Sequence, residues 1–188
     1  MNKKNIAIVA GIIIAVVACR LLFNEMQWFN LFPIAALGIF IGSTFKNKQT
    51  PYIILLGAML LTDVCFTLFV PGMQAVIGWS LFIKYAAVML VVLMGTKLDP
   101  TKWTRAVGFT IGGTLLFWIV SNFGVWAGGY YGYSFAGIVE CYVMAIPFYQ
   151  AEGSQLFVNA FSSNIILGAI AFAVYNFSFV KRQSLATA

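Results

Sequence analysis

Residues 121–149 read S-N-F-G-V-W-A-G-G-Y-Y-G-Y-S-F-A-G-I-V-E-C-Y-V-M-A-I-P-F-Y. The stretch leaves a long apolar run, crosses an aromatic, glycine-rich loop and enters a shorter apolar run holding Glu140, Cys141 and Pro147. How that second run is read decides the fold. As a full membrane span it makes seven crossings; as a short or re-entrant helix it leaves six. Irregular backbone at membrane depth is tolerated where it is buried in protein or lines a cavity. The same stretch is therefore the first place to look for a binding site.

Composition sets the class. Of 188 residues, 62% are hydrophobic and only 9% charged, and the mean hydropathy is +0.93. A soluble domain of this size cannot hide so much apolar surface, so lipid is the expected solvent. The net charge of +6 does not point to nucleic acid, because most Lys and Arg sit in short gaps between apolar runs, as membrane-orienting charges do. Histidine is absent, which removes the commonest transition-metal ligand and the usual neutral-pH proton shuttle. Cys19, Cys65 and Cys141 show no pairing pattern and imply no disulfide framework.

Outward from the opening stretch, the apolar runs predict an all-α integral membrane protein, a single domain over 1–188. Its spans are expected at 5–23, 30–45, 51–70, 73–95, 105–126 and 156–178, with a short or re-entrant helix at 135–149. In the first run Ala7, Gly11, Ala15 and Cys19 recur every fourth residue, a small-residue face that lets another helix approach closely. Lys3, Lys4 and the segment ending Val16-Val17-Ala18-Cys19 also resemble a lipoprotein signal with a lipidated cysteine; the several spans that follow weigh against that reading. Trp28, Phe29 and Phe32 fit an interfacial aromatic belt. Pro33 suits a first helical turn, and Gly38 and Gly42 give the second span a small face of its own.

The third run carries Asp63 and the fourth Lys84, on either side of a tight Pro71-Gly72 turn that makes the two helices antiparallel neighbours. Asp63 lies roughly 10 Å below that turn and Lys84 roughly 16–18 Å, at about 1.5 Å per residue. A long lysine side chain covers the difference, and intramembrane charges usually pair or face a polar cavity. An Asp63–Lys84 ion pair is therefore expected, architectural or functional. The fifth run carries Gly108 and Gly112 four residues apart.

With six spans, the charges separate. One side holds Lys3, Lys4, Lys46, Lys48, Lys97, Lys102, Arg105, Lys181 and Arg182; the other holds Arg20, with Glu25 and Glu152. The positive-inside rule then puts both termini in the cytoplasm. A seventh full span at 135–149 would place Lys181 and Arg182 outside, so six is preferred. The opening stretch faces out.

A pocket beneath it is expected to be lined by Asn122, Trp126, Tyr130, Tyr131, Tyr133, Cys141, Tyr142 and Phe148, with Glu140 at its base. Aromatic walls with few polar groups suit a small, flat, partly polar organic molecule, although Trp and Tyr at this depth also serve as belt residues. The sequence holds no phosphate cradle before a lysine, no metal-ligand cluster and no Ser–His arrangement. No cofactor or metal is expected, and no ATPase or hydrolase chemistry. Cys141 lacks a histidine or a clear cation to activate it as a nucleophile.

Asn30-Leu-Phe-Pro33-Ile-Ala-Ala-Leu, Asp63, Asn122-Phe-Gly-Val-Trp126 and Cys141-Tyr-Val-Met-Ala-Ile-Pro147-Phe together resemble a group of small bacterial membrane proteins. That group in turn looks related to the substrate-binding S components of energy-coupling factor (ECF) vitamin transporters. The resemblance implies an S-component-like bundle in the bacterial cytoplasmic membrane that captures a vitamin or vitamin precursor at its external face. It uses the loop after helix 1 and the outer parts of helices 4 to 6. It also implies a separate transmembrane subunit and two ATPases, docked through Ala7, Gly11 and Ala15, that drive a toppling movement. The missing N-terminal histidine disfavours nickel or cobalt uptake. Two rival readings follow from the residues. One is a structural or assembly protein similar to the six-span subunits of cell-shape complexes; the other is a membrane enzyme using Glu140, Cys141 or Asp63.

Overall fold

The computed structural model describes residues 3–28, 30–70, 78–145 and 151–186. Seven helices follow one another: α1 (Lys3–Glu25), α2 (Ile34–Thr44), α3 (Thr50–Phe69), α4 (Trp79–Thr96), α5 (Trp103–Ala127), α6 (Phe135–Met144) and α7 (Ala151–Ala186). Among the described residues there is no strand. Four segments, Thr50–Phe69, Trp79–Thr96, Trp103–Ala127 and Phe157–Ser178, are long and apolar enough to cross a bilayer. Large apolar side chains point outward from them, among them Leu60, Leu61, Leu68 and Phe69 on α3 and Phe82, Leu90 and Leu93 on α4. A soluble monomer does not expose apolar surface on this scale; the molecule has the make-up of a multi-pass membrane protein.

The second apolar run, expected as a span over 30–45, is helical only over Ile34–Thr44, 11 residues, or about 16 Å. It is nevertheless the hub. α2 packs against α3, α4, α5 and α7, and Ala35, Ala36, Gly38, Ile39, Ile41, Gly42 and Ser43 are all buried. The small face expected from Gly38 and Gly42 is used against α4. A Cβ on Gly42 would lie 2.7 Å from the Val92 carbonyl oxygen, and one on Gly95 of α4 would lie 2.6 Å from that of Ile39. Gly108 has no such neighbour, and a Cβ on Gly112 would meet only the Met94 methyl at 3.7 Å. In α5 the close-packed glycines are Gly113, against Ile39, and Gly124, against Ile83 and Ser80 of α4.

Hydroxyls inside the bundle turn back onto their own helices. Thr62, Thr110 and Thr114 donate to the carbonyls of Ala58, Ala106 and Thr110 at 2.7, 2.9 and 2.7 Å, which satisfies them without a partner from another helix. Two asparagines tie α7 to distant chain. Asn164 Oδ1 accepts from the Ala36 N–H at 2.7 Å, satisfying one of the donors that every helix start leaves open. Asn176 Nδ2 donates to the Pro100 carbonyl at 3.0 Å.

The α1–α2 connection is also specified locally. The Trp28 N–H donates to Phe23 and the Gln27 N–H to Asn24, while Gln27 takes a φ of +56°. This is a Schellman closure with glutamine where glycine is usual. It folds Trp28 back onto Phe23, with ring centroids 5.8 Å apart. The 10 residues of α6 are too few for a crossing. The turn expected at Pro71-Gly72 lies outside the described residues, as do Phe29, Pro147 and Phe148.

Candidate ligand cavity

The ends of α1, α3 and α5 meet the starts of α2, α4 and α7 around a cavity of about 530 Å³. Arg20, Phe23 and Asn24 line it from α1, Trp28, Asn30 and Phe32 from the loop, and Ile34 from the start of α2. Thr114, Phe117, Trp118, Ser121 and Asn122 supply the α5 wall, and Phe157, Ala160, Phe161 and Asn164 the α7 wall. Met59 and Phe66 of α3, Lys84 of α4, Val125 of α5, and Met144 and Ala145 at the end of α6 complete the lining. Exposed Lys46, Lys48, Lys97, Lys102 and Arg105 follow α2, close α4 or open α5, and so sit at the other end of the bundle.

The ion pair expected between α3 and α4 is formed. Lys84 Nζ lies 3.1 Å from Asp63 Oδ2, with the aspartate 11% and the lysine 34% exposed. Tyr85, not foreseen, donates its hydroxyl to the same oxygen at 2.9 Å. Asp63 is thus held twice, by a cation and by a phenol, and its carboxylate is also within electrostatic reach of Arg20. Arg20 itself is less well placed: its Nη1 is buried with no hydrogen-bond partner.

Of the candidate site residues, Asn122 from the expected outer pocket and Lys84 from the expected ion pair reach this cavity, whereas Asp63 does not line it. Asn122 Nδ2 donates to the Trp118 carbonyl at 2.8 Å, within its own helix. Trp126, Tyr130, Tyr131, Tyr133, Glu140, Cys141 and Tyr142 do not line it. Tyr130, Tyr133 and Glu140 are exposed, Tyr131 is half-buried, and Trp126 packs between Phe123 and Tyr133.

The physical reason is the position of α6, which lies against the outside of α5. Ser134 caps it, its Oγ accepting from the Gly137 N–H at 3.0 Å. The Cys141 thiol donates to the Asn122 carbonyl at 3.3 Å and the Tyr142 hydroxyl to that of Ile119 at 2.7 Å. The Tyr142 ring meets Trp118 edge-on at 5.7 Å. Cys141 and Tyr142 therefore brace the α5 wall from behind. Glu140 and Cys141, neighbours in sequence, point to different surroundings, one exposed and one buried. On α1, Ala7, Gly11 and Ala15 are exposed, and a Cβ on Gly11 would touch nothing within 4 Å.

Arg20, Tyr85 and Asn164 belong to the site without standing out as site residues in the sequence. Arg20 and Asn164 do carry a signal there, since each is a strongly polar residue inside an apolar run, where lipid offers it nothing. Tyr85 carries none beyond following Lys84.

Fold and site together define an all-helical, multi-pass membrane protein with a charged and aromatic cavity at one end of its bundle. The chain belongs to a family of unknown function, DUF6580, whose model matches residues 1–186. No curated protein and no solved structure matches it.

Proposed function

We propose that this protein is a substrate-binding membrane subunit for uptake of a small micronutrient, a vitamin or vitamin precursor, held in the cavity at the end of the bundle. The observation that carries the reading is the cavity itself. Its volume of about 530 Å³ falls in the range of small-molecule sites, roughly 300–1,000 Å³, and its lining mixes aromatic rings with asparagines and two cations. The lysine-rich loops occupy the opposite end, so the positive-inside rule orients the cavity outward, with six spans and both termini cytoplasmic. In this reading α1 and the short α2 count as spans, α2 with the loop before it. The resemblance to ECF S components supplies the rest of the proposal: location in the bacterial cytoplasmic membrane and inward transfer driven by a transmembrane subunit with ATPases. Exposed Ala7, Gly11 and Ala15 would form the docking face.

The test is a thermal melt of the purified protein in detergent against a vitamin and vitamin-precursor library, beside an Ala160→Phe variant that fills the cavity. A ligand at 100 times its Kd stabilises by about 2.7 kcal/mol, a rise of roughly 5–10 °C for a chain of this length. At least one compound is expected to produce such a rise in the wild type and none in the variant. A library that leaves the wild-type melt unmoved would remove the transport reading.

A further inference from the structure

We infer that the guest is an organic monoanion, an aromatic ring bearing a carboxylate, with Arg20 as its anchor. This rests on the cavity being a ligand site and names the class of ligand that it takes.

The argument begins with charge. Arg20 and Lys84 line the cavity, and Asp63, bonded to Lys84, is the acid set against them. Among the described residues, two cations and one anion leave the site one positive charge in excess, in a part of the molecule walled by aromatic rings. Partners decide which cation is in excess. The Asp63 carboxylate already takes Lys84 at 3.1 Å and the Tyr85 hydroxyl at 2.9 Å. Arg20 shares Asp63 only at a distance, and among the described residues its buried Nη1 has no acceptor. A buried donor left unmade is costly, more so when charged. A guanidinium is a planar fork that matches a carboxylate; Arg20 lines the cavity, so an arriving anion would balance its charge and, once the fork turns Nη1 toward the cavity, supply the missing acceptor.

Shape completes the class. Phe23, Trp28, Phe117, Trp118, Phe157 and Phe161 give the cavity ring-bearing walls, suited to a flat aromatic body. One negative charge balances the excess; a phosphate dianion would overshoot it.

The experiment uses sets sharing a ring, each with an anionic, a neutral and a cationic side group: benzoate, benzamide and benzylamine; nicotinate, nicotinamide and 3-picolylamine; indole-3-acetate, indole-3-acetamide and tryptamine. Affinities are read by calorimetry on the wild-type protein in detergent and on Arg20→Gln. In at least one set the carboxylate is expected to bind about tenfold or more tighter than its carboxamide, the scale of a charge-assisted hydrogen bond, with the amine weakest. Arg20→Gln is expected to abolish that preference while leaving carboxamide binding in place. Where the variant fails to fold, the wild-type ranking decides alone. Binding that ignores charge, a preference for amine or carboxamide, or an Arg20→Gln variant that loses every member equally overturns the inference. Those results would leave the cavity reading standing. That reading fails on its own terms when neither the vitamin library nor the Ala160→Phe comparison shows an effect, and the inference falls with it.

Discussion

Gly95→Ala is expected to lower the melting temperature by about 10 °C and to cut the yield of folded protein. The added methyl would sit 2.6 Å from the Ile39 carbonyl oxygen and 2.8 Å from the Ile39 Cα. Both atoms are backbone, so no rotamer change relieves the contact and the two helices must separate. Gly42 faces the reciprocal problem against Val92 on the same seam. Separation would loosen α2 from Val91 and Val92, which are fully buried. The expected cost of about 3 kcal/mol is at the upper end for overpacking, and each kcal/mol moves the melt by roughly 2–4 °C at this size. Gly112→Ala is the control: its methyl would meet only a flexible Met94 methyl at 3.7 Å, and it should leave the melt nearly unchanged. Equal behaviour of the two variants would show that the α2–α4 seam is not close-packed.

The second large effect belongs to Asp63. Asp63→Asn removes the negative charge that is bonded to Lys84 and within electrostatic reach of Arg20, and leaves two like charges in the bundle. Breaking a fully buried pair from one side costs about 3–5 kcal/mol. Here Lys84 is 34% exposed, so screening reduces the expected loss to about 2 kcal/mol. Asp63→Asn combined with Lys84→Met removes the pair as a unit and is expected to recover at least half of that loss. The comparison is a double-mutant cycle, with Lys84→Met alone as its fourth corner. Strict additivity of the two single changes would mean that the pair contributes no coupling.

The Asp63–Lys84 pair was legible because two rare residues in adjacent apolar runs constrain each other. Depth follows from counting residues, and lipid leaves few other partners. The same rule applied to Arg20 would have brought it into the site. Its place near the end of its run fits a boundary charge that orients the loops equally well, and that hides it. The small face of α2 was legible from Gly38 and Gly42, but its partner Gly95 was not, since one glycine near the end of an apolar run has many explanations. The aromatic loop shows a harder limit. A tyrosine at a headgroup boundary and a tyrosine against a guest have the same sequence surroundings. Tyr130 and Tyr133 prove exposed, while the cavity takes Phe117, Trp118 and Phe157 from runs that read as plain span. Which side of α5 faces inward depends on where α6 and α7 dock, and no local pattern encodes that.

Of the five tryptophans in the chain, Trp28 and Trp118 line the cavity while Trp79, Trp103 and Trp126 do not. The site therefore carries its own optical gauge. Entry of a guest changes the polarity around two indoles and leaves the other three as an internal reference, so occupancy can be followed by emission colour in unlabelled protein.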